Sequence, residues 1–198
     1  MNQKGFFVCI EGLDKSRKTS QSILLVEALC KKGYDAIYTT EPSNGEIGKF
    51  IRKYILRRKN RVPPVIEALL FAADRADHVE NEIKPMLAKG KIVVSDRYVY
   101  SSLAYQGAAG LSLVWIKEIN KQALKPDLAI YLDVPVVNLL QRYKRNKSVM
   151  ERLDTQKKVE EIYIKLVHEG ELIQVNSDRP LEEAAKDIQV MVLNRLKR

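Results

Sequence analysis

Apolar residues follow two rhythms along this chain, and the chain passes from one to the other five times. Short apolar runs at 6–11, 34–39, 91–95, 127–134 and 172–175 have the length of strands. The 127–134 run is nearly continuous in apolar character, as strands buried on both faces are. Between these runs, apolar residues recur every three or four positions over 20–32, 47–55, 65–87, 112–124, 136–142, 155–169 and 181–196, which predicts helices. Gly33 is placed to end the first helix as its C′ residue. Glu41-Pro42-Ser43-Asn44-Gly45 reads as a loop, Pro63-Pro64 opens the long third helix, Pro85 marks a bend near its end, and Pro135 suits a first helical position. Five strands alternating with helices predict βαβ units: a three-layer α/β fold with a five-stranded parallel sheet flanked by helices.

The chain has 198 residues, 45% of them hydrophobic, and no linker or repeat, so one domain with a substantial core is expected. Lys+Arg number 34 against 25 Asp+Glu, a net charge of +9 that suits polyanionic ligands, nucleotides and nucleic acids alike. The most basic helical stretch, with Lys49, Arg52, Lys53, Arg57, Arg58 and Lys59, reads as a solvated helix face rather than a nucleic-acid patch. Cys9 and Cys30 lack a CxxC or His partner at metal spacing and read as buried thiols of a cytoplasmic protein. No signal-peptide core and no 18-residue apolar run is present, so neither export nor membrane insertion is expected.

Chemistry enters at the first strand–helix junction. Glu11-Gly12-Leu13-Asp14-Lys15-Ser16-Arg17-Lys18-Thr19 leaves an apolar strand, ends in Lys-Thr and leads straight into a helix, the context of a P-loop. Gly12 lets the chain turn off the strand. The backbone N–H groups through Ser20 and the helix N-terminus would face phosphate oxygens, Lys18 would reach the β/γ-phosphates, and the Thr19 hydroxyl would ligate Mg²⁺. Residues 12–20 are therefore the expected ATP contacts. Arg17 departs from G-x-x-x-x-G-K-[ST], standing where the pattern has its second Gly; a left-handed backbone there would cost an L-residue roughly 1–2 kcal/mol. The third strand delivers Asp96 and Arg97 at its C-terminal end, where open α/β sheets bind ligands. Asp96 would hold Mg²⁺ or its water, and Arg97 would clamp a phosphate. The segment 141–152, with Arg142, Lys144, Arg145, Lys147 and Arg152, reads either as a basic lid that closes over polyphosphate or as a frayed, charged helix.

Four segments together resemble the thymidylate kinases, P-loop nucleoside monophosphate kinases: E-G-L-D-K-S at 11–16, T-E-P at 40–42, L-L-F-A-A-D-R at 69–75 and D-R-Y-V-Y-S-S-L-A-Y-Q-G at 96–107. The likeness covers essentially the whole chain. It implies a P-loop NTPase fold, a homodimer, and Mg²⁺-dependent transfer of the ATP γ-phosphoryl group to dTMP, giving dTDP and ADP. It further implies that Phe71 stacks on the thymine ring, Arg75 reaches O4, Arg97 holds the monophosphate, Tyr105 lies against the sugar near C2′ and Gln106 binds the base edge. Ser102 falls within the substrate-binding segment, and Asp14 matches an acid that contacts the 3′-OH. Lys18, Asp14, Asp96, Arg97, Arg142 and Arg145 are the implied catalytic set, with Thr19 and Asp96 at the metal. Glu151 matches an acid at the end of the family's lid, and Asn176-Ser177 lie where its late loop approaches adenine. An aromatic face suits any base, while a donor at O4 separates thymine from cytosine.

Arg17 motivates the alternative of a catalytically silent nucleotide binder, and a kinase for another nucleotide acceptor fits the same scaffold. A GTPase switch fits poorly, because neither Asn120-Lys121 nor Asn146-Lys147 has an Asp two residues beyond the Lys.

Overall fold

The computed structural model describes residues 5–57, 62–140 and 153–197. The five strands are β1 (Phe6–Gly12), β2 (Ala36–Thr40), β3 (Ile92–Asp96), β4 (Leu128–Asp133) and β5 (Ile173–Asn176). All pair in parallel, in the order β2-β3-β1-β4-β5. β1 lies at the centre, flanked by β3 and β4, so the strand order turns around it. That arrangement opens a crevice at the C-terminal edge of the sheet. The register puts Ile10 and Thr40 beside Asp96, and Gly12 beside Leu132. The loops after β1, β2 and β3 therefore share one corner.

Alternation along β1 sends side chains to both faces. Val8 and Ile10 pack with Leu25 and Leu29 of α1 (Lys18–Lys31) and Ile188 and Val192 of α9 (Leu181–Leu196). Phe7 and Cys9 pack on the other side, where α3 (Pro64–His78), α5 (Val99–Ala108), α6 (Leu113–Ile119) and α8 (Leu153–His168) gather. The three expected layers form.

α1 ends in a Schellman turn. Gly33 has φ +85°, its N–H donates to the Cys30 carbonyl at 2.9 Å, and the Tyr34 N–H donates to the Leu29 carbonyl at 3.1 Å. After α2 (Glu46–Phe50) and α3, π-helical turns run over Ile51–Ile55 and Val79–Ile83. The second leads into α4 (Lys84–Ala88), with Pro85 in its first turn. The wider turn admits the ring without an i−4 clash, so the expected long helix runs as α3, a π turn and α4. α6 stops sooner than its pattern suggests because Asn120 caps it, its Nδ2 donating to the Ile116 carbonyl at 2.8 Å.

Two expectations change. α5 went unrecognised as a helix because Tyr100, Ser102, Leu103, Ala104, Tyr105 and Gln106 are all buried, which leaves no polar face for periodicity to register. Cys30 is exposed rather than buried, on the outer side of α1 with its Sγ 3.5 Å from the Ala36 carbonyl; Cys9 is buried. After α7 (Val136–Leu140), the expected lid at 141–152, with Arg142, Arg145, Glu151 and Arg152, lies outside the described residues, as do Arg58 and Lys59.

Candidate active site

The loop from β1 to α1 is shaped by its backbone. Gly12 has φ +152°, and a Cβ there would sit 2.6 Å from the Ser16 Oγ, so only glycine allows the close turn. The Ser16 N–H closes onto the Leu13 carbonyl at 3.2 Å. Arg17 takes φ 67°, ψ 26° in the left-handed region, and Lys15 has φ 67°. The non-glycine residue at the expected glycine position thus adopts the glycine conformation, at about 1–2 kcal/mol. The first turn of α1 carries no acid, and its leading N–H groups lack intrahelical acceptors, so this end is suited to an anion.

Lys18 is buried, with Nζ donating to the Leu13 carbonyl at 2.6 Å and lying 3.5 Å from the Ser16 Oγ. Desolvation, with Arg97 nearby, brings its ammonium down to about 7, although Asp14, Asp96 and Glu11 pull the other way. A polyphosphate arriving beside it would restore the charge. Leu13 is buried in the core, whereas Lys15, Arg17, Thr19 and Ser20 are exposed at the loop surface. The Thr19 hydroxyl donates to Asp96 Oδ2 at 2.5 Å, while Asp96 Oδ1 is buried and has no partner among the described residues. A hydroxyl and a carboxylate with an open oxygen form an all-oxygen donor pair. That pair fits Mg²⁺, which takes few protein ligands and leaves its other positions to phosphate and water.

Arg97 joins this phosphate corner to a neighbouring cleft. Its backbone is left-handed at φ 72°, and its N–H donates to the Ile10 carbonyl at 3.0 Å. The guanidinium donates to Asp14 Oδ1 at 2.5 Å and to the Ser101 Oγ at 3.0 Å, and lies 5.1 Å from the centre of the Tyr105 ring. Asp14 is partly desolvated, yet Arg97 and Lys18 hold its carboxyl below the usual range. Behind them, buried Glu11 accepts from the Tyr98 N–H at 2.8 Å, the Ser101 N–H at 3.1 Å, the Ser101 hydroxyl at 2.6 Å and the Tyr163 hydroxyl at 2.9 Å. Burial raises the Glu11 carboxyl despite those donors. Arg97 is therefore braced through Ser101 from the core.

The cleft measures about 240 Å³. Asp14, Phe71, Arg75, Arg97, Ser102, Tyr105 and Gln106, named from separate sequence segments, all line it. Phe71 and Arg75 come from one face of α3, and Ser102, Tyr105 and Gln106 from α5. Arg75 is 2% exposed. Its Nε and Nη2 donate to Glu41 Oε2 at 2.9 and 2.6 Å, and its Nη1 donates to Asn120 Oδ1 at 2.5 Å. Five N–H groups less these three leave two to address a ligand. Glu41 also faces His78, whose Nδ1 is 3.2 Å from Oε1 and whose Nε2 is 2.7 Å from the Thr39 Oγ1. Burial opposes a charge on His78, but Glu41 and Glu82 raise it to about 9. The loop carrying Glu41 is tied to α3, because Asp74 accepts from the Ser43 N–H at 2.7 Å and the Ser43 hydroxyl at 2.6 Å, and Arg52 donates to the Pro42 and Ser43 carbonyls.

Glu41, Glu67, Tyr98 and Ser101 also line the cleft, and sequence reasoning did not single them out. Glu67 was within reach of it: Glu67, Phe71 and Arg75 recur at four-residue intervals, which puts them along one helix face. Asn120 had no such signal, since its link to Arg75 spans 45 residues. Asn176 ends β5 and Ser177 is buried beside it, both at the same edge of the sheet.

A family model described as thymidylate kinase matches residues 10–188 of the chain. A protein of Pyrococcus abyssi named "Probable thymidylate kinase" is 45% identical over 201 residues, covering 98% of each chain. One of the same name from Pyrococcus horikoshii is 43% identical, again with 98% of each chain covered, and one from Staphylothermus marinus is 40% identical, with 97% of this chain and 96% of the relative covered.

Proposed function

The chain belongs to the thymidylate kinase family and is an ATP:dTMP phosphotransferase, and from that premise we propose how its residues divide the reaction. The observation that carries the assignment is the Arg97–Asp14 pair, which sits between the phosphate loop and the cleft and so touches both halves of a two-substrate site.

dTMP occupies the cleft, with its base on Phe71, O4 toward Arg75, its edge toward Gln106, its sugar against Tyr105 beside Ser102, and its phosphate toward Arg97. Asp14 meets the 3′-OH. ATP lies along residues 12–20, its β/γ-phosphates at Lys18. Thr19 and Asp96 hold Mg²⁺, which when bound neutralises phosphate charge. Phosphoryl transfer asks little covalent chemistry of a protein, so positioning and charge supply most of the rate. Lys18 and Arg97 face the charge that develops on the transferring group, and Arg142 and Arg145, in a lid at 141–152, add to it and exclude water. Arg17 accepts its strained backbone and contributes positive charge to a working loop.

The rest of the reading concerns setting. The chain works as one kinase domain in the cytoplasm, and no helix among the described residues is long and apolar enough to cross a membrane. It pairs as a homodimer, for which the exposed Phe50 and Tyr54 with Val65, Ile66 and Leu69 of α3 offer apolar contacts, and takes no nucleic acid as partner. ADP release from ATP and Mg²⁺ tests the assignment, with dTMP compared with dUMP, dCMP, dGMP, the ribonucleotide of thymine and no acceptor. Strong dTMP-dependent turnover is expected. Binding of dTMP without turnover would overturn the roles given to the loop and point to Arg17 as the lesion.

A further inference from the structure

We propose that Glu67 is a positioning residue: it locks the side-chain amide of Gln106 with its oxygen facing the cleft, and so makes the site select a base that carries an N3–H. The proposal rests on the assignment of the cleft to dTMP.

Glu67 comes from α3 and Gln106 from α5, and they are 4% and 3% exposed. Gln106 Nε2 donates to Glu67 Oε1 at 3.0 Å. The Glu67 oxygen accepts in this pair, so the reversed amide would set oxygen against oxygen at that distance in a buried setting. Glu67 therefore fixes which end of the amide is which. Its consequence lies at the other end. Gln106 Oε1 is buried, belongs to a residue lining the cleft, and has no hydrogen-bond partner among the described residues. Buried polar atoms are rarely left so, and an acceptor of this kind calls for a donor from a ligand.

Thymine and uracil present that donor at N3, whereas cytosine presents a lone pair there, acceptor against acceptor. Arg75 is held by two groups of its own and offers donors toward O4. The site thus reads two adjacent atoms in opposite senses, a donor from Arg75 and an acceptor from Gln106. Each is aimed by a buried acid: Glu41 aims Arg75 and Glu67 aims Gln106. A site built to pair a substrate N–H rejects the analogue lacking it, because its own acceptor is then left unpaired.

The test compares kcat/KM for dTMP and for 3-deaza-dTMP, a 4-hydroxy-2-pyridone of nearly the same shape in which C–H replaces N3–H and O4 is a hydroxyl, the change at O4 being common to every variant compared. It uses the wild-type protein, Glu67→Gln and, as a second variant, Glu67→Ala, with thermal melting to confirm folding. The wild type is expected to prefer dTMP by about 10- to 100-fold, the range of a lost buried hydrogen bond. With Glu67 replaced, the Gln106 amide turns freely, and the preference falls at least about 5-fold from its wild-type value, the loss appearing in KM for dTMP and not in KM for ATP. Placing Glu67→Gln on a Gln106→Leu background should leave the ratio where Gln106→Leu alone puts it. A wild-type ratio in either folded Glu67 variant overturns the proposal. Absence of dTMP turnover in the wild type would instead overturn the reading on which it rests.

Discussion

Replacing Glu41 by glutamine removes a single charge from the centre of a buried network while keeping its volume. Glu41 accepts two hydrogen bonds from Arg75 at 2.9 and 2.6 Å, and the two side chains are 3% and 2% exposed. Water cannot take its place, so the guanidinium is left buried and short of its counter-charge. Breaking a buried pair by removing one partner costs about 3–5 kcal/mol. In a chain of this length each kcal/mol moves Tm by about 2–4 °C, so a fall of about 6–20 °C is expected. A pH signature goes with it. His78 has a folded pKa of about 9 against an ordinary 6.5. Its contribution is therefore fully present below 6.5 and is lost as pH rises through 9, at most about 3 kcal/mol in all. Glu41→Gln removes a main cause of that rise, so the gap between wild type and variant should be widest at pH 6 and narrow by pH 9.5. Urea unfolding at both pH values measures it. A loss under about 1 kcal/mol at pH 6, or an equal loss at both pH values, would refute the reasoning. The double replacement Glu41→Gln, Arg75→Met should recover much of the loss, since it removes the stranded charge.

Lys18→Ala is expected to lower kcat by about 100-fold or more while changing KM for dTMP far less, measured from initial rates; an unchanged kcat would remove Lys18 from the transfer step. Because burial brings free Lys18 down to about 7 and ATP would keep it charged, ATP binding should take up a proton and weaken as pH rises above 7. Calorimetry in buffers of different ionisation heat checks the uptake, and no dependence on buffer would contradict it. Arg17→Gly should relieve the left-handed strain at φ 67° and raise stability by about 1 kcal/mol in urea titration. Its kcat should stay within a few-fold of wild type; a large gain would show Arg17 to be a defect.

Much of the architecture was legible because it is written in local patterns. The five apolar runs became the five strands within about two residues, and Gly33 ended its helix as its position suggested. The shape of the loop was legible for the same reason: Gly12 turns the chain off β1 and Lys18 opens α1 within a few residues. α5 escaped because its neighbours bury most of its sides, so its pattern carried no period. Cys30 was misjudged because residue type predicts burial only on average, while the outer side of α1 decides it.

The sequence by itself determined the βαβ order, the strand–loop–helix at its start, the family and seven residues that line one cleft. The tertiary structure decided how those residues are held. Glu41 meets Arg75 across 34 residues, Gln106 meets Glu67 across 39, Arg97 meets Asp14 across 83 and Thr19 meets Asp96 across 77. Pairings at such separations leave no periodic trace in the chain. They exist because parallel strands carry their C-terminal loops to one edge of the sheet, and there the low dielectric of a buried corner compels each charge or amide to find its partner.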